Sequence, residues 1–380
     1  MNILFVSSYF LPYVSGLTIH AQRLAEGMAK KGHKTEILTN KHKGDLPSQE
    51  KVGRILVKRA TPCFRLSRGF FSPHLFFLFT REVLKKDVVV LHLPMPESFI
   101  FAPLAKILRK KVFLIYHANL NLPSWSIFSK AIEALVYINH WIAGLFADNI
   151  IAYSKDYANH ARFLVNFKQK VVIISPPVFM RNPRREESAQ WRKRLDLERT
   201  KIIGFAGRFA EEKGGDILLQ ALGYLAKKEP KVRVVFAGER NLSYENFYQK
   251  KRDLIDKYKN RILFIEVVAP EKMPEFYSMI DVLALPSRFE CFGLVQVEAM
   301  LCGTPVVAFN IPGGRVPLQM SGMGKLANKA DIEDFANCLI QVINKKDKFL
   351  KKKSEIQKIF NLEKSISKYE AVFYGKTNLV

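Results

Sequence analysis

Arg208 and Lys213 stand five positions apart in the stretch FAGRFAEEKGG, and Glu290 and Glu298 have seven residues between them in SRFECFGLVQVEAMLCGTPVVA. Two cations that close can neutralise a diphosphate, which stores about two negative charges. A carboxylate would repel a phosphate but accepts hydrogen bonds from hydroxyls, so both glutamates read as ligands of sugar hydroxyls. Phe292, Gly293 and Leu294 lie between them, where a helical pattern begins. The unpaired N–H groups of that helix start, with its dipole, favour an anion. Gly293 has no side chain to obstruct close approach. Together these types suit a phosphorylated, hydroxyl-rich small molecule.

Three histidines add to the set. His117 closes the strand-like run KVFLIYH, with Asn119 two positions on; a histidine at a strand's carboxyl end is well placed to touch a ligand. His92 ends the preceding run, VVVLHL, and His20 falls inside the first helical pattern. No D-x-D is present to hold a metal-bound diphosphate. The four cysteines, Cys63, Cys291, Cys302 and Cys338, show neither a C-x-x-C pair nor metal-ligand spacing. No metal or other cofactor is expected, and the thiols read as reduced and mostly buried, as in a cytosolic protein.

The elements that must position these groups repeat one unit. NILFVS, a loop with Pro12 and Gly16, the amphipathic LTIHAQRLAEGMAKKGH and KTEILT make strand, loop, helix, strand. In that helix Leu17, Ala21, Leu24, Ala25 and Met28 mark the expected inner face. Further short apolar runs follow (DVVVLHL, KVFLIYH, DNIIAYS, KVVIISP), then a polar linker near Pro176–Leu197, then a second series: KIIGFAG, VRVVFAG, ILFIEVV, DVLALPS and TPVVAFN. Such alternation predicts α/β architecture with parallel sheets, as two Rossmann-like domains. Residues 1–176 and 177–355 form the two domains, and 356–380 a C-terminal helix packing back on the first. The pattern Leu294–Cys302 predicts a helix stopped by Gly303 and Pro305.

With 380 residues, 48% hydrophobic, the chain has enough apolar material for two cores. Its net charge of +25 points to a partner carrying negative charge. The first 175 residues hold 24 basic against 10 acidic side chains. The start MNILFVSSYFLP lacks a basic region before its apolar run and reads as a first strand. The run Ala134–Ala147 is too short to span a bilayer. The stretch CFRLSRGFFSPHLFFLFTREVLKK combines arginines with phenylalanines and suits an anionic membrane surface, or an amphipathic helix packed into the first domain. The expected location is the cytoplasm, on the membrane's inner face if the first of these two readings holds. No nucleic-acid module is recognisable.

GRFAEEKG, ALPSRFECFGLVQVEAMLCGTPVVAF and PYVSGLTIHAQRLAEGMAKKGHKTEILT together resemble the retaining GT-B glycosyltransferases of the family-four type, over nearly the whole chain. The resemblance implies two Rossmann-like domains facing each other across a cleft, with a nucleotide-diphosphate sugar held mainly by the second. Arg208 and Lys213 would contact the diphosphate, Glu298 the ribose and Glu290 the donor sugar, beside the Phe292–Leu294 backbone. Gly16 would let the first domain's backbone approach the donor phosphate, and His117 would lie beside the transferred sugar. Two positions depart from the family: Ser15 replaces a second glycine before Gly16, and Arg315 follows Gly313–Gly314 where an acid is usual. The expected activity moves a hexosyl group, with retention, to a saccharide or lipid-linked acceptor in envelope or glycolipid polysaccharide synthesis. A nucleotide-sugar epimerase, a sugar phosphorylase, or a non-catalytic nucleotide-sugar or nucleic-acid binding protein remains as an alternative.

Overall fold

The computed structural model describes residues 1–66, 69–119, 127–242 and 245–376. By contacts the chain forms two compact units: Met1–Pro177 with Leu362–Val380, and Val178–Asn361.

Unit 1 is built on an eight-stranded sheet. In chain order its strands are β1 (Asn2–Val6), β2 (Lys34–Asn40), β3 (Gln49–Val52), β4 (Ile55–Ala60), β7 (Val88–Leu93), β8 (Lys111–Tyr116), β9 (Asn149–Ala152) and β10 (Val171–Ile173); β5 (Phe64–Leu66) and β6 (Gly69–Phe71) form a separate ribbon. The sheet runs β10-β9-β8-β7-β1-β2-β4-β3, parallel except for β3. Ile3, Leu4, Phe5 and Val6 are fully buried, as are Val89, Val90 and Leu91, which is why these strands read as continuous apolar runs. From β1 the chain goes to β2 on one side and from β7 to β8 on the other, so strand order reverses between β1 and β7.

The Gly16–Lys30 helix follows β1. Ser15 is its N-cap: the Ser15 hydroxyl accepts from the Thr18 N–H at 3.2 Å, and Thr18 Oγ1 accepts from the Ser15 N–H at 2.8 Å. The serine that departs from the family's paired glycine therefore starts the helix itself. Ala21, Leu24, Ala25 and Met28 are buried as the pattern predicts, but Leu17 is half-exposed while Thr18 and His20 face inward. The Leu362–Phe373 helix packs on this one at Gly27, where a β-carbon would stand 2.5 Å from Ile366 Cδ1.

Unit 2 holds a six-stranded parallel sheet, ordered β13-β12-β11-β14-β15-β16. Its strands are β11 (Lys201–Ala206), β12 (Val232–Ala237), β13 (Ile262–Phe264), β14 (Val282–Leu285), β15 (Val306–Phe309) and β16 (Gly324–Ala327). Here order reverses between β11 and β14, which pair in register at Ile203–Val282 and Gly204–Leu283. The Lys353–Ile359 helix belongs to this unit, with Ile356 and Phe360 buried.

The sequence pattern missed the β3–β4 hairpin, the β5–β6 ribbon and β16. All are short, and β3 and β16 have little fully buried surface, so no continuous apolar run marks them. Within 63–86, the Pro73–Val83 helix buries Leu75, Phe79 and Val83, as the packed-helix reading expects, and exposes Phe76 and Phe77. Ser67 and Arg68 of the same stretch lie outside the described residues, as does 120–126, which follows Asn119. Of the cysteines, all free, Cys302 and Cys338 are buried, Cys291 is intermediate and Cys63 is exposed, against the expectation of mostly buried thiols. Among the described residues no helix is long and apolar enough to cross a membrane.

Candidate functional site

In open α/β sheets, ligands bind outside the carboxyl ends of strands where strand order reverses. In unit 2 that position lies beyond β11 and β14, and the loops leaving these two strands carry Arg208, Lys213 and Glu290.

The two loops are stitched together. Lys213 Nζ lies 2.8 Å from Glu290 Oε2, with the Ser287 hydroxyl 3.5 Å from the same oxygen. Arg288 forms a two-pronged pair with Asp216, 2.9 Å at each contact, while its backbone N–H donates to Glu212 O at 2.8 Å. Gly214 sits at φ +70, and a β-carbon there would meet Pro286 O at 2.0 Å, so only glycine lets the loops approach this closely. Gly214 also caps the Gly215–Lys228 helix that follows.

Lys213 is held charged. Burial disfavours its ammonium, but the carboxylates of Glu290 and Glu212 outweigh burial and raise its pKa above the ordinary lysine value. Arg208 pairs with Glu212 at 2.7 Å. Both cations expected at a diphosphate thus touch carboxylates of their own unit in this structure, and Glu290 is an ion-pair partner as well as a candidate sugar ligand.

Glu298 lies in the Leu294–Leu301 helix, where Oε2 accepts from the Tyr277 hydroxyl at 3.0 Å. The helix closes one residue earlier than the pattern suggests, with Cys302 as its C-cap. Its N-cap is Gly293 at φ +80; a β-carbon would stand 2.5 Å from Gln296 Nε2. Phe292 is fully buried and Leu294 half-buried, so these residues can offer a ligand backbone more readily than side chains. Gln296, also fully buried, donates to Gly314 O at 2.7 Å and ties the 311–314 loop to the helix start. Glu290 makes a backbone bridge to Gly313 in the same loop. Arg315, where the family's acid is absent, reaches Asn310 Oδ1 at 3.4 Å.

In unit 1, Gly16 is exposed at the first turn of its helix. His117 directly follows β8 and is buried, its N–H donating to Leu93 O at 3.1 Å. Its ring lies 2.8 Å from His92 and 2.7 Å from the Tyr153 hydroxyl. His20, fully buried, contacts the Tyr369 hydroxyl at 3.0 Å. Burial pushes all three histidines below the usual imidazole range, His92 to about 3, with His20 and His117 lowered further by neighbouring charge. The rings are therefore neutral at pH 7. Asn119 bonds through its side chain to the Tyr116 hydroxyl. Glu97, past the end of β7, has its carboxyl raised to about 7 by burial.

Sequence reasoning missed Arg288, Asp216, Glu212, Tyr277 and Gln296. Arg288 and Gln296 lie inside the motif that drew attention, and Asp216 follows the glycine pair at the helix start. Tyr277 carries no local signal, because its partner Glu298 is 21 residues away.

Two parallel sheets with loop-borne charges at a reversal of strand order define an α/β ligand-binding protein of two Rossmann-like units. Residues 14–179 match the model of Glycosyltransferase Family 4, and residues 187–358 that of Glycosyl transferases group 1. The chain is made of the group 1 and family 4 glycosyltransferase domains, and its fold is that of the GT-B glycosyltransferases. An uncharacterised glycosyltransferase of Methanocaldococcus jannaschii is 28% identical over 338 residues, 82% of this chain and 81% of its own. D-inositol 3-phosphate glycosyltransferase of Mycolicibacterium smegmatis is 35% identical over 157 residues, but these span only 40% of this chain and 35% of that one. Among solved structures, sucrose-phosphate synthase of Thermosynechococcus elongatus superposes with a TM-score of 0.81 at 20% identity, covering 98% of each chain. HepE of Anabaena, in complex with UDP and glucose, gives 0.78 at 19% identity, over 99% of this chain and 100% of that one. At such identities the likeness concerns the fold.

Proposed function

We propose that the chain transfers a hexosyl group from a nucleotide-diphosphate sugar to a saccharide or lipid-linked acceptor, with retention of configuration and without a metal at the diphosphate. The observation that carries this reading is the Lys213–Glu290 pair, 2.8 Å apart, at the strand-order reversal of unit 2. A cation that enters a site already compensated by a carboxylate can turn to a diphosphate when the ligand arrives. Glu290 is then released to accept from the sugar's hydroxyls. HepE, similar in fold, is known with UDP and glucose bound.

In this reading Arg208 and Lys213 hold the diphosphate, Glu298 the ribose hydroxyls, and the Gly293–Leu294 backbone the phosphate nearer the sugar. Gly16 offers its backbone to the donor, and His117 contacts the transferred sugar. As the bond from the anomeric carbon to the diphosphate oxygen breaks, the acceptor oxygen attacks from the same face. The acceptor's proton passes to the departing diphosphate, whose charge Arg208 and Lys213 stabilise.

The acceptor's lipid character is supported by unit 1. Phe76 and Phe77 are exposed on the Pro73–Val83 helix, as are Leu135, Ile138, Trp141 and Leu145 on the Ile127–Phe146 helix. With the basic surplus of this part of the chain, they suit peripheral docking on an anionic, cytoplasmic membrane face. Flotation with anionic vesicles tests this, and salt-insensitive or absent binding rejects it.

A thermal-shift screen of UDP-, GDP- and ADP-sugars tests the donor site. A donor present at 100 times its Kd stabilises by about 2.7 kcal/mol. One family of nucleotides should raise Tm in the wild type and less in Glu298→Gln. No shift from any of them, or equal shifts in both proteins, would overturn the assignment. Product anomeric configuration by NMR then decides retention, and release of a new glycoside separates transfer from epimerisation.

A further inference from the structure

The histidines of unit 1 have an arrangement that sugar transfer does not require. His92 in β7, His117 just after β8 and His20 in the Gly16–Lys30 helix converge, and one ring nitrogen from each lies within 4.8 Å of the other two. His20 meets the rings of both others, at centroid distances of 5.0 Å to His117 and 5.8 Å to His92. Two of the ring nitrogens, His20 Nδ1 and His92 Nε2, are buried without a hydrogen-bond partner. A buried ring nitrogen with no partner is unfavourable unless something compensates it.

We propose that His20, His92 and His117 form a binding site for one divalent transition metal of the zinc class, held by three imidazole nitrogens, with the fourth position open to water or an anion. Imidazoles select zinc, cobalt, nickel or copper and disfavour magnesium or calcium. Nitrogens on a tetrahedral zinc lie roughly 3.3 Å apart, since each bond is about 2.0 Å. The observed separations, from 2.8 Å between His92 Nδ1 and His117 Nε2 up to the 4.8 Å limit, bracket that figure.

The surroundings match what a histidine ligand needs behind it. A ligating imidazole usually has its other nitrogen fixed by an acceptor, which sets the tautomer and the ring's direction. Tyr153 holds His117 Nδ1 at 2.7 Å and Tyr369 holds His20 Nε2 at 3.0 Å. This leaves His20 Nδ1 without a partner and His117 Nε2 against His92 Nδ1 at 2.8 Å, a hydrogen bond that the ion would replace. His117 is 7% exposed while His20 and His92 are fully buried, which places the point of entry at His117.

None of the three ligands is anionic, so the ion keeps its double charge and favours hydroxide or an anion at its open position. If the transfer reading holds, an ion on His117 also competes with the sugar contact assigned to that ring.

The test uses the full chain without an affinity tag, stripped with chelator, dialysed and titrated with cobalt(II) chloride in the absence of any sugar nucleotide. The expected result is saturation at one ion per chain, with the visible absorption bands of a four-coordinate site that zinc abolishes. His20→Gln and His92→Gln each remove a ligand and should weaken binding by more than the roughly 10–100-fold that loss of an outer partner causes, while the exposed His160→Gln leaves it unchanged. Circular dichroism verifies that the variants fold. No saturable one-to-one band in folded wild-type protein overturns the proposal, whatever the variants do. So does wild-type affinity in folded His20→Gln and His92→Gln, which would leave the cluster as a hydrogen-bonded group alone. Because no donor or acceptor is present, either outcome is independent of the transfer reading.

Discussion

Lys213→Met keeps most of the side chain's length and removes its charge. Nζ lies 2.8 Å from Glu290 Oε2. Unit charges about 4 Å apart attract by about 4 kcal/mol at an effective dielectric of 20. Desolvation of the ammonium offsets much of that, so the loss in folding stability is about 1–3 kcal/mol. A fold with a typical reserve of about 5–15 kcal/mol remains folded at 25 °C. The cost to chemistry is separate and larger in its effect on rate. Removing one preorganised charge-stabilising group from a transition state lowers turnover by about 10²–10³-fold, or about 3–4 kcal/mol. Release of nucleoside diphosphate at saturating donor and acceptor measures turnover, and a denaturant melt on the same preparations measures stability. Glu290→Gln and the double variant complete a cycle. The stability losses should be less than additive, because the two residues share one contact, while the double variant turns over no faster than Lys213→Met. Turnover within about threefold of wild type, with the stability loss present, would show that Lys213 only anchors Glu290 and that the diphosphate is held elsewhere.

Gly214→Ala should abolish activity and lower Tm, because a β-carbon 2.0 Å from Pro286 O at φ +70 forces apart the loops that carry Lys213 and Glu290; wild-type melting would show that the loops relax freely. Ser15→Ala removes the acceptor for the Thr18 N–H and should cost about 1 kcal/mol in a denaturant melt, with Ser15→Gly costing less. Glu97 has a folded pKa of about 7, above its unfolded value. The folded state therefore binds the extra proton, and stability falls as pH rises from about 4.5 through 7. Glu97→Gln should remove this slope and stabilise the protein at pH 8 by at most about 3 kcal/mol, with little effect at pH 4.5. His140 behaves oppositely, since burial lowers it to about 4. The unfolded chain takes up its proton first, so stability is lost as pH falls below about 6.5, by about 2 kcal/mol at pH 5. His140→Gln should flatten that limb of a pH-dependent melting curve.

What could be read from the sequence followed how the chain buries its groups. Parallel strands covered on both faces, such as β1, β7 and β11, are apolar at nearly every position, so their existence and the α/β class were legible. Edge elements such as β3, exposed at alternate residues, left no such trace. The site divides in a similar way. Arg208, Lys213, Glu290 and Glu298 stand out because charges at loop ends and helix starts are unusual within apolar motifs. Their partners, Asp216 for Arg288 and Tyr277 for Glu298, depend on which strands become neighbours, and adjacency of β11 to β14 is a property of topology, invisible in local spacing. The three histidines show the same limit more sharply. His20, His92 and His117 are 72 and 25 positions apart in turn, with no ligand-like interval, and each alone looks like one more residue of a strand or helix. Their meeting follows from the crossover that sets β1 beside β7 and carries the first helix over the sheet. A ligand set assembled by topology has to be sought at the reversal of strand order, where both units place their chemically capable side chains.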